Sequence, residues 1–152
     1  MKFLCDRMLG TLAKWLRIYG FDTFYADSET DDDELLRITK EENRTLITSD
    51  IELSYDAKRE NLNVIIVKTT NLDEQLKLVL KHTKIDENKI LSRCILCNSK
   101  LDIIIKNEVK DKIPKKVFEN NEKFWFCKKC DKTYWMGSHY DKMKTKMKEL
   151  QE

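Results

Sequence analysis

Two short apolar runs in the first half of the chain each end in an aspartate. Phe3-Leu4-Cys5 is followed by Asp6, and Thr45-Leu46-Ile47-Thr48-Ser49 is followed by Asp50. If both runs are parallel strands of one sheet, Asp6 and Asp50 lie at the same edge, where open α/β sheets bind their ligands. A third carboxylate, Asp33, opens a helical pattern between them. Carboxylates bind Mg²⁺ or Mn²⁺, and such an ion supplies the positioned water and the charge neutralisation that phosphodiester hydrolysis needs.

The same three aspartates have a simpler interpretation as helix caps. Each of them stands at or near the first turn of a helical pattern, where a carboxylate that accepts a backbone N–H bond stabilises the helix by about 0.5–2 kcal/mol. The neighbouring acids of the run, Asp31, Asp32 and Glu34, are expected to be solvated or capping. Spacing alone therefore leaves both a metal site and capping open, and one residue can serve both purposes.

The second half of the chain carries two Cys-x-x-Cys pairs, Cys94/Cys97 and Cys127/Cys130. Each pair offers two thiolates from one turn, and together they form the four-ligand set of a structural zinc site. The intervening segment is long enough for the hairpins of a zinc ribbon. Two disulfides or a redox pair are the alternatives. Cys5, the one remaining cysteine, is expected to be a buried core residue.

Basic and aromatic side chains surround these cysteines. Residues 93–152 carry 15 Lys/Arg and 9 Asp/Glu, whereas residues 1–92 carry 14 and 18, so the two halves have opposite net charge. Basic residues interleaved with aromatic ones are typical of surfaces that bind single-stranded nucleic acid. A solvated lysine surface over a small aromatic core is the alternative. The candidate RNA contacts are Arg7, Arg93, Lys128, Lys129, Trp135 and His139.

The elements that must position these residues follow from the periodicity. Strands at residues 3–5, 22–25, 45–48 and 63–67 alternate with helices near 7–19, 31–40, 50–60 and 72–80, which predicts βαβ units and a mainly parallel sheet. From residue 93 the pattern changes to strands near 101–105, 124–126 and 133–135, followed by a lysine-rich helix over 140–150. We therefore predict an α/β domain over residues 1–90 and a zinc ribbon with a basic C-terminal helix over 91–152.

Composition limits the class of protein. Apolar residues make up 41% of the chain and charged residues 37%, which fits a globular protein with a highly charged surface. No apolar run approaches the roughly 20 residues of a transmembrane helix. The N-terminus lacks a secretory pattern, because Asp6 and Arg7 interrupt its apolar run. These features predict a cytoplasmic protein without a membrane segment.

Several motifs, in chain order, resemble the Mut-seven C-terminal RNase family. They are Asp6-Arg7-Met8-Leu9-Gly10, Trp15-Leu16-Arg17-Ile18-Tyr19-Gly20-Phe21-Asp22-Thr23, Asp32-Asp33-Glu34-Leu35-Leu36, Leu46-Ile47-Thr48-Ser49-Asp50, Arg93-Cys94-Ile95-Leu96-Cys97-Asn98 and Tyr134-Trp135-Met136-Gly137-Ser138-His139. The resemblance implies a three-layer PIN-like nuclease fold with an appended zinc ribbon. It also implies a metal-dependent ribonuclease whose acidic positions are Asp6, Asp33 and Asp50.

One departure from the wider PIN pattern concerns the end of the fourth strand. An acidic residue is expected there, but Val64-Ile65-Ile66-Val67 is followed by Lys68-Thr69-Thr70-Asn71, and the next acid is Asp73. The number of catalytic ions therefore stays open. Two hypotheses follow. The first is a Mg²⁺- or Mn²⁺-dependent ribonuclease acting on single-stranded RNA with structural zinc. The second is a non-catalytic protein whose ribbon binds RNA or a ribonucleoprotein.

Overall fold

The computed structural model describes residues 1–152 and shows an α/β region followed by a small antiparallel sheet. The α/β region consists of β1 (Phe3–Cys5), α1 (Gly10–Ile18), β2 (Thr23–Tyr25), α2 (Asp32–Glu41), β3 (Thr45–Thr48), α3 (Ile51–Arg59), β4 (Val64–Ile66) and α4 (Leu72–Leu80). Its four strands are all parallel and lie in the order β2-β1-β3-β4. This is the mainly parallel sheet that strand–helix alternation predicts.

Alternation along the strands separates two apolar layers. Phe3 and Cys5 of β1 belong to one core cluster, together with the buried residues of α1 and α4. Leu4, between them, belongs to a second cluster, which includes buried residues of α2 and α3. Because successive side chains of a strand point to opposite faces, helices cover both faces of the sheet. The result is the expected three-layer architecture.

The first helix is shorter than the sequence pattern predicts. A 3₁₀ turn over Arg7–Leu9 precedes α1, which begins at Gly10 rather than near residue 7. Gly20 ends this element with φ of +89°, and a Cβ atom there would lie 2.3 Å from the Lys89 carbonyl oxygen. The predicted stop at Gly20 is therefore correct, since only glycine fits both the backbone angle and the contact.

The second region contains β5 (Asp102–Ile104), α5 (Lys115–Asn120), β6 (Phe124–Cys127), β7 (Lys132–Trp135) and α6 (Ser138–Gln151). The three strands are antiparallel in the order β5-β6-β7. Two further 3₁₀ turns cover Glu87–Lys89 and Lys106–Val109. The sequence pattern predicts the strands and the final helix but not α5.

Helix α6 returns to the α/β region. Its buried residues Met147 and Leu150 belong to the same core cluster as Phe3, with Met143 packed against it. The ribbon's own helix thus packs on α1 and α4. None of the six α-helices combines the length and apolar character that a membrane crossing requires.

A polar network holds the first cysteine turn against the sheet. Arg17 of α1 donates to the carbonyl oxygens of Thr23 and Ile95, at 2.9 Å each. The Asn98 amide donates to the Asp22 carboxylate at 2.7 Å and accepts from the Thr23 N–H at 3.0 Å. These bonds fix the orientation of the ribbon relative to the sheet.

Candidate active site and zinc centre

The two strand-end aspartates are joined through one hydroxyl. Strands β1 and β3 are adjacent, with Cys5 paired to Ile47, so Asp6 and Asp50 emerge at the same edge of the sheet. Thr48 Oγ1 donates to Asp6 Oδ2 at 2.9 Å and accepts from the Asp50 N–H at 3.0 Å. Thr48 is fully buried and Asp6 is 8% exposed. The buried hydroxyl therefore fixes the Asp6 carboxylate.

Capping explains Asp50 but not Asp6. Asp50 Oδ1 accepts the N–H of Leu53 at 3.2 Å and so caps α3. Asp6 precedes the first 3₁₀ turn, yet its side chain accepts no capping bond. Its Oδ1 accepts no hydrogen bond from the chain, and no buried side-chain polar atom lacks a partner. One Asp6 oxygen therefore reaches open space at the sheet edge.

The acidic run at the start of α2 divides into different roles. Asp31 caps the helix, because its Oδ1 accepts the Glu34 N–H at 2.9 Å. Asp33 is exposed, and its side chain makes no hydrogen bond or ion pair within the chain. Burial raises the pKa of Asp32, and the negative charges of Asp50 and Asp6 raise it further. Asp32 is thus the member of the run whose pKa is affected by the strand-end carboxylates Asp6 and Asp50.

The sequence predicts Asp33 at this edge and Asp32 as a solvated or capping residue. The two neighbours point about 100° apart around the helix, so the choice depends on where α2 begins. The structure places the cap at Asp31. Three consecutive aspartates give no sequence signal for that position, and only the pair Asp6/Asp50 could be recognised from strand ends.

The carboxylates do not form a closed ligand set in this conformation. No three carboxylate oxygens from different residues lie within 4.8 Å of one another. Mg²⁺ binds oxygens at about 2.0–2.1 Å, so its direct ligands are at most about 4.2 Å apart. A divalent ion at this edge would take one or two of these carboxylates directly and keep water or substrate phosphate in the other positions. This open arrangement is the one that Mg²⁺ ordinarily adopts.

Arg7 lies beside the acidic edge. Its carbonyl oxygen accepts the Tyr25 hydroxyl at 2.6 Å, which holds the first turn against β2. Its side chain is exposed and makes no ion pair within the chain. The positive charge of Arg7 acts on Asp32, where it opposes the rise in pKa caused by burial and by the other acids. The Arg7 side chain thus lies near the acidic edge, and its contact with a phosphate stays a prediction.

The four predicted cysteines converge. One sulfur from each of Cys94, Cys97, Cys127 and Cys130 lies within 4.8 Å of the others, and these residues are the sole group of three or more His, Cys, Asp or Glu residues that do so. Tetrahedral zinc with Zn–S bonds of about 2.3 Å needs sulfurs about 3.8 Å apart. The four sulfurs can therefore bind a metal such as zinc.

The electrostatics of the four thiols favours a cation among them. Burial acts to raise the pKa of Cys97, but hydrogen bonds from Ser99 and the neighbouring sulfurs lower it to about 6. The bond to Cys97 raises the pKa of Cys130 to about 12. Neighbouring thiols thus cannot all ionise without positive charge between them, and zinc supplies that charge. All four are free cysteines, so the disulfide alternative is not what the structure shows.

Three of the predicted RNA contacts differ in how accessible their side chains are. Arg93 donates to the Asn98 carbonyl oxygen at 2.9 Å and lies 3.6 Å from an Asp22 oxygen, and its side chain is 16% exposed. Its guanidinium therefore helps to hold the ribbon on the sheet. Lys128 and Lys129 are exposed, with Asp102 3.7 Å from Lys128. Their contacts with RNA stay a prediction.

Trp135 and His139 line one cavity of about 220 Å³ between β7 and α6. His139 is exposed and Trp135 is half-buried. Tyr134 also lines this cavity, and its hydroxyl lies 3.1 Å from Cys94 Sγ. The cavity therefore adjoins the cysteine cluster.

Parallel strands that end in acids, followed by a four-cysteine ribbon, define a nuclease-like α/β protein with a metal-binding module. The family model described as the Mut7-C RNAse domain matches residues 1–147, so the chain belongs to this family. The resemblance identified from the motifs is therefore confirmed. Neither the curated proteins nor the solved structures contain a match to the chain.

Proposed function

We propose that the protein is a Mg²⁺- or Mn²⁺-dependent ribonuclease that hydrolyses phosphodiester bonds at the acidic edge of its parallel sheet. The observation that supports this most strongly is the Asp6–Thr48–Asp50 arrangement. The Thr48 hydroxyl holds one Asp6 oxygen and leaves the other open at the sheet edge, where it could bind a cation. Family membership supports the choice of a nuclease.

Each residue at the edge has a distinct role in the proposal. A bound divalent ion would supply a positioned water and neutralise charge on the phosphate. Asp6 and Asp50 would hold the ion, and Asp33, the third acidic candidate, stands in the first turn of α2. Arg7 contacts the phosphate. Asp32 adds negative charge to the edge and is the alternative to Asp33 as the third acidic residue of the site.

The zinc ribbon would bring single-stranded RNA to this edge. Lys128 and Lys129 provide exposed positive charge, while Trp135 and His139 offer rings on which a base can stack. Zinc bound by the four cysteines stabilises the ribbon. A cytoplasmic location, association with a ribonucleoprotein and a domain boundary after residue 90 remain predictions.

Cleavage of labelled single-stranded RNA with Mn²⁺ tests the proposal. Asp6→Asn keeps an oxygen that accepts the Thr48 hydroxyl but removes the charge, so we expect activity to fall by about a hundredfold or more. The matched control is Asp111→Asn, which changes an exposed aspartate without contacts. Equal cleavage by Asp6→Asn and the unchanged protein would overturn the proposal.

A non-catalytic RNA-binding protein is the second candidate, and the capping bond of Asp50 favours it. In that case the acids stabilise helices and the sheet edge, while the ribbon alone binds RNA. RNA binding would then be sensitive to salt, need no divalent ion and persist when Asp6, Asp33 and Asp50 are all replaced by Asn. Calorimetric detection of a Mn²⁺ ion that requires Asp6 would count against it.

A further inference from the structure

A groove with a mixed polar and apolar lining adjoins the acidic edge on its β4 side. It encloses about 500 Å³, and its lining includes Thr11, Ser49, Lys68, Thr70 and Gln75, with Met8 on its wall. Ser49 directly precedes Asp50, so the groove begins where the proposed active site ends. The groove is lined by neither the four cysteines nor the three candidate aspartates.

The strand order places acidic residues at the ends of the two central strands and a lysine at the end of the outer strand β4. Asp6 follows β1 and Asp50 follows β3, while Lys68 comes just after β4, the neighbour of β3 at the side of the sheet. Adjacent strands are about 4.8 Å apart, so the Lys68 backbone lies about one strand spacing from the end of β3 and two from the end of β1. Lys68 is exposed and makes no ion pair or hydrogen bond within the chain. The cation is therefore free to bind a ligand.

The lining also includes the apolar residues Leu9, Leu12 and Leu72, and its polar part is held in position by hydrogen bonds. Gln75 is 8% exposed, and its amide donates to the Thr69 carbonyl oxygen at 2.8 Å, which holds the loop that carries Lys68. Its carbonyl oxygen accepts no hydrogen bond from the chain and, since no buried polar atom lacks a partner, it is open to the groove. Helix α1 begins on the opposite wall, directly after the Arg7–Leu9 3₁₀ turn, and its dipole is positive at this end. The Gln75 oxygen can accept a hydrogen bond from a ligand, and the helix end favours an anion.

From this arrangement we infer that the groove binds the ribose-phosphate of the RNA nucleotide next to the cleaved bond, with Lys68 as its phosphate contact. The inference rests on the proposed function for its substrate class. A phosphate in the groove meets the Lys68 ammonium and the positive end of the α1 dipole, both of which favour an anion. The hydroxyls of Ser49 and Thr70 and the Gln75 oxygen suit the sugar hydroxyls.

Binding of fluorescent single-stranded RNAs, measured by anisotropy in buffer to which no Mg²⁺ or Mn²⁺ is added, tests the contact without cleavage and leaves the zinc in place. Lys68→Ala should weaken binding about threefold to tenfold for two RNAs of different sequence, and should reduce the salt slope by about 0.7. Lys68→Arg should restore both quantities. Lys58→Ala is the matched control, since it removes an exposed lysine without contacts from the far end of α3, and it should bind as the unchanged protein does.

Equal binding by Lys68→Ala and Lys58→Ala would overturn the inference, as would no measurable binding by the unchanged protein. Circular dichroism checks that each variant is folded. Because these measurements exclude catalysis, their outcome is separate from that of the Asp6→Asn experiment. Retained cleavage by Asp6→Asn with weakened binding by Lys68→Ala would contradict the proposed acidic site while it supports the groove.

Discussion

Thr48 donates its hydroxyl hydrogen to Asp6 across the two central strands, at 2.9 Å, and accepts the Asp50 N–H with the same oxygen. The hydroxyl therefore couples the ends of β1 and β3. Thr48 touches no solvent, so it acts on the edge through the aspartates rather than on a substrate. It is a positioning residue.

Replacement of Thr48 by valine should affect both stability and the acidic edge. Thr48→Val keeps the shape but removes the partner of two polar groups, and we expect it to lower the free energy of unfolding by about 1–3 kcal/mol. Thr48→Ser keeps the hydroxyl and should retain most of that stability. Urea unfolding measures the difference in the free energy of unfolding between the two variants. Calorimetry measures their Mn²⁺ affinity, which would not change if Thr48 had a purely structural role. If valine and serine variants bound Mn²⁺ equally, the positioning role would be wrong.

Asp32 should oppose folding at neutral pH more than Asp33 does. Burial and the charges of Asp50 and Asp6 raise the folded-state pKa of Asp32, so its ionised form disfavours the fold above that pKa. Asp32→Asn should therefore give a higher Tm than Asp33→Asn at pH 7. The difference should shrink as pH falls and Asp32 takes up a proton. Both positions lie in the first turn of α2, so comparing them cancels the helix-dipole contribution.

Thermal melts of both variants between pH 4 and pH 7 provide the measurement. A Tm difference that is constant over this range would mean that Asp32 does not sense the other carboxylates. A difference of opposite sign would place Asp33, rather than Asp32, at the acidic edge and would restore the assignment made from the sequence.

Asp22 should make the attachment of the ribbon sensitive to acid. Burial alone would raise the pKa of Asp22, but hydrogen bonds from Asn98 and Arg44 and the charges of Arg44 and Arg93 hold it below its usual range. Its contribution to stability is therefore fully present above about pH 4 and is lost as pH falls through the lowered folded-state pKa. Asp22→Asn should cost about 2 kcal/mol at pH 7, because it leaves partly buried arginines without their partner.

The control for Asp22 is Asp56→Asn, which breaks the exposed Arg59–Asp56 ion pair at 3.1 Å. Exposed pairs contribute at most about 1 kcal/mol, so this variant should unfold almost as the unchanged protein does. Urea unfolding at pH 7 and at pH 3 measures both variants. The interpretation fails if the two substitutions cost the same, or if the cost at Asp22 persists at pH 3.

The sequence predicts the fold because its signals are local. Apolar runs such as Thr45–Thr48 end in turn residues, and helices with one apolar face follow them, so strand–helix alternation identifies a parallel sheet. The two Cys-x-x-Cys turns predict the cysteine cluster for the same reason, since each turn presents two sulfurs by itself. Gly20 ends α1 as expected, because its backbone angle excludes other residues.

The parts of the site that depend on tertiary packing could not be read in this way. Asp32 and Asp33 are indistinguishable until the cap at Asp31 fixes the phase of α2. Arg93 reads as a basic residue beside the cysteines, whereas its place is set by Asp22, 71 positions earlier in the chain. In the sequence, Lys68 is notable only because it stands where an acidic residue is expected. The groove that it lines forms because β3 and β4 are neighbours in the sheet.

Zinc removal should unfold the ribbon and leave the parallel sheet. We expect one zinc per chain by elemental analysis, and Cys97→Ser should lose it, because three thiolates and a hydroxyl bind zinc far more weakly than four thiolates. Trp125 and Trp135 lie on β6 and β7. After loss of zinc, their fluorescence should change at a lower temperature than the one at which the α/β region unfolds. Cys5→Ala is the control, since Cys5 is buried in the sheet away from the cluster and should keep full zinc content. Zinc retained by Cys97→Ser, or lost by Cys5→Ala, would show that the four cysteines are not the metal site.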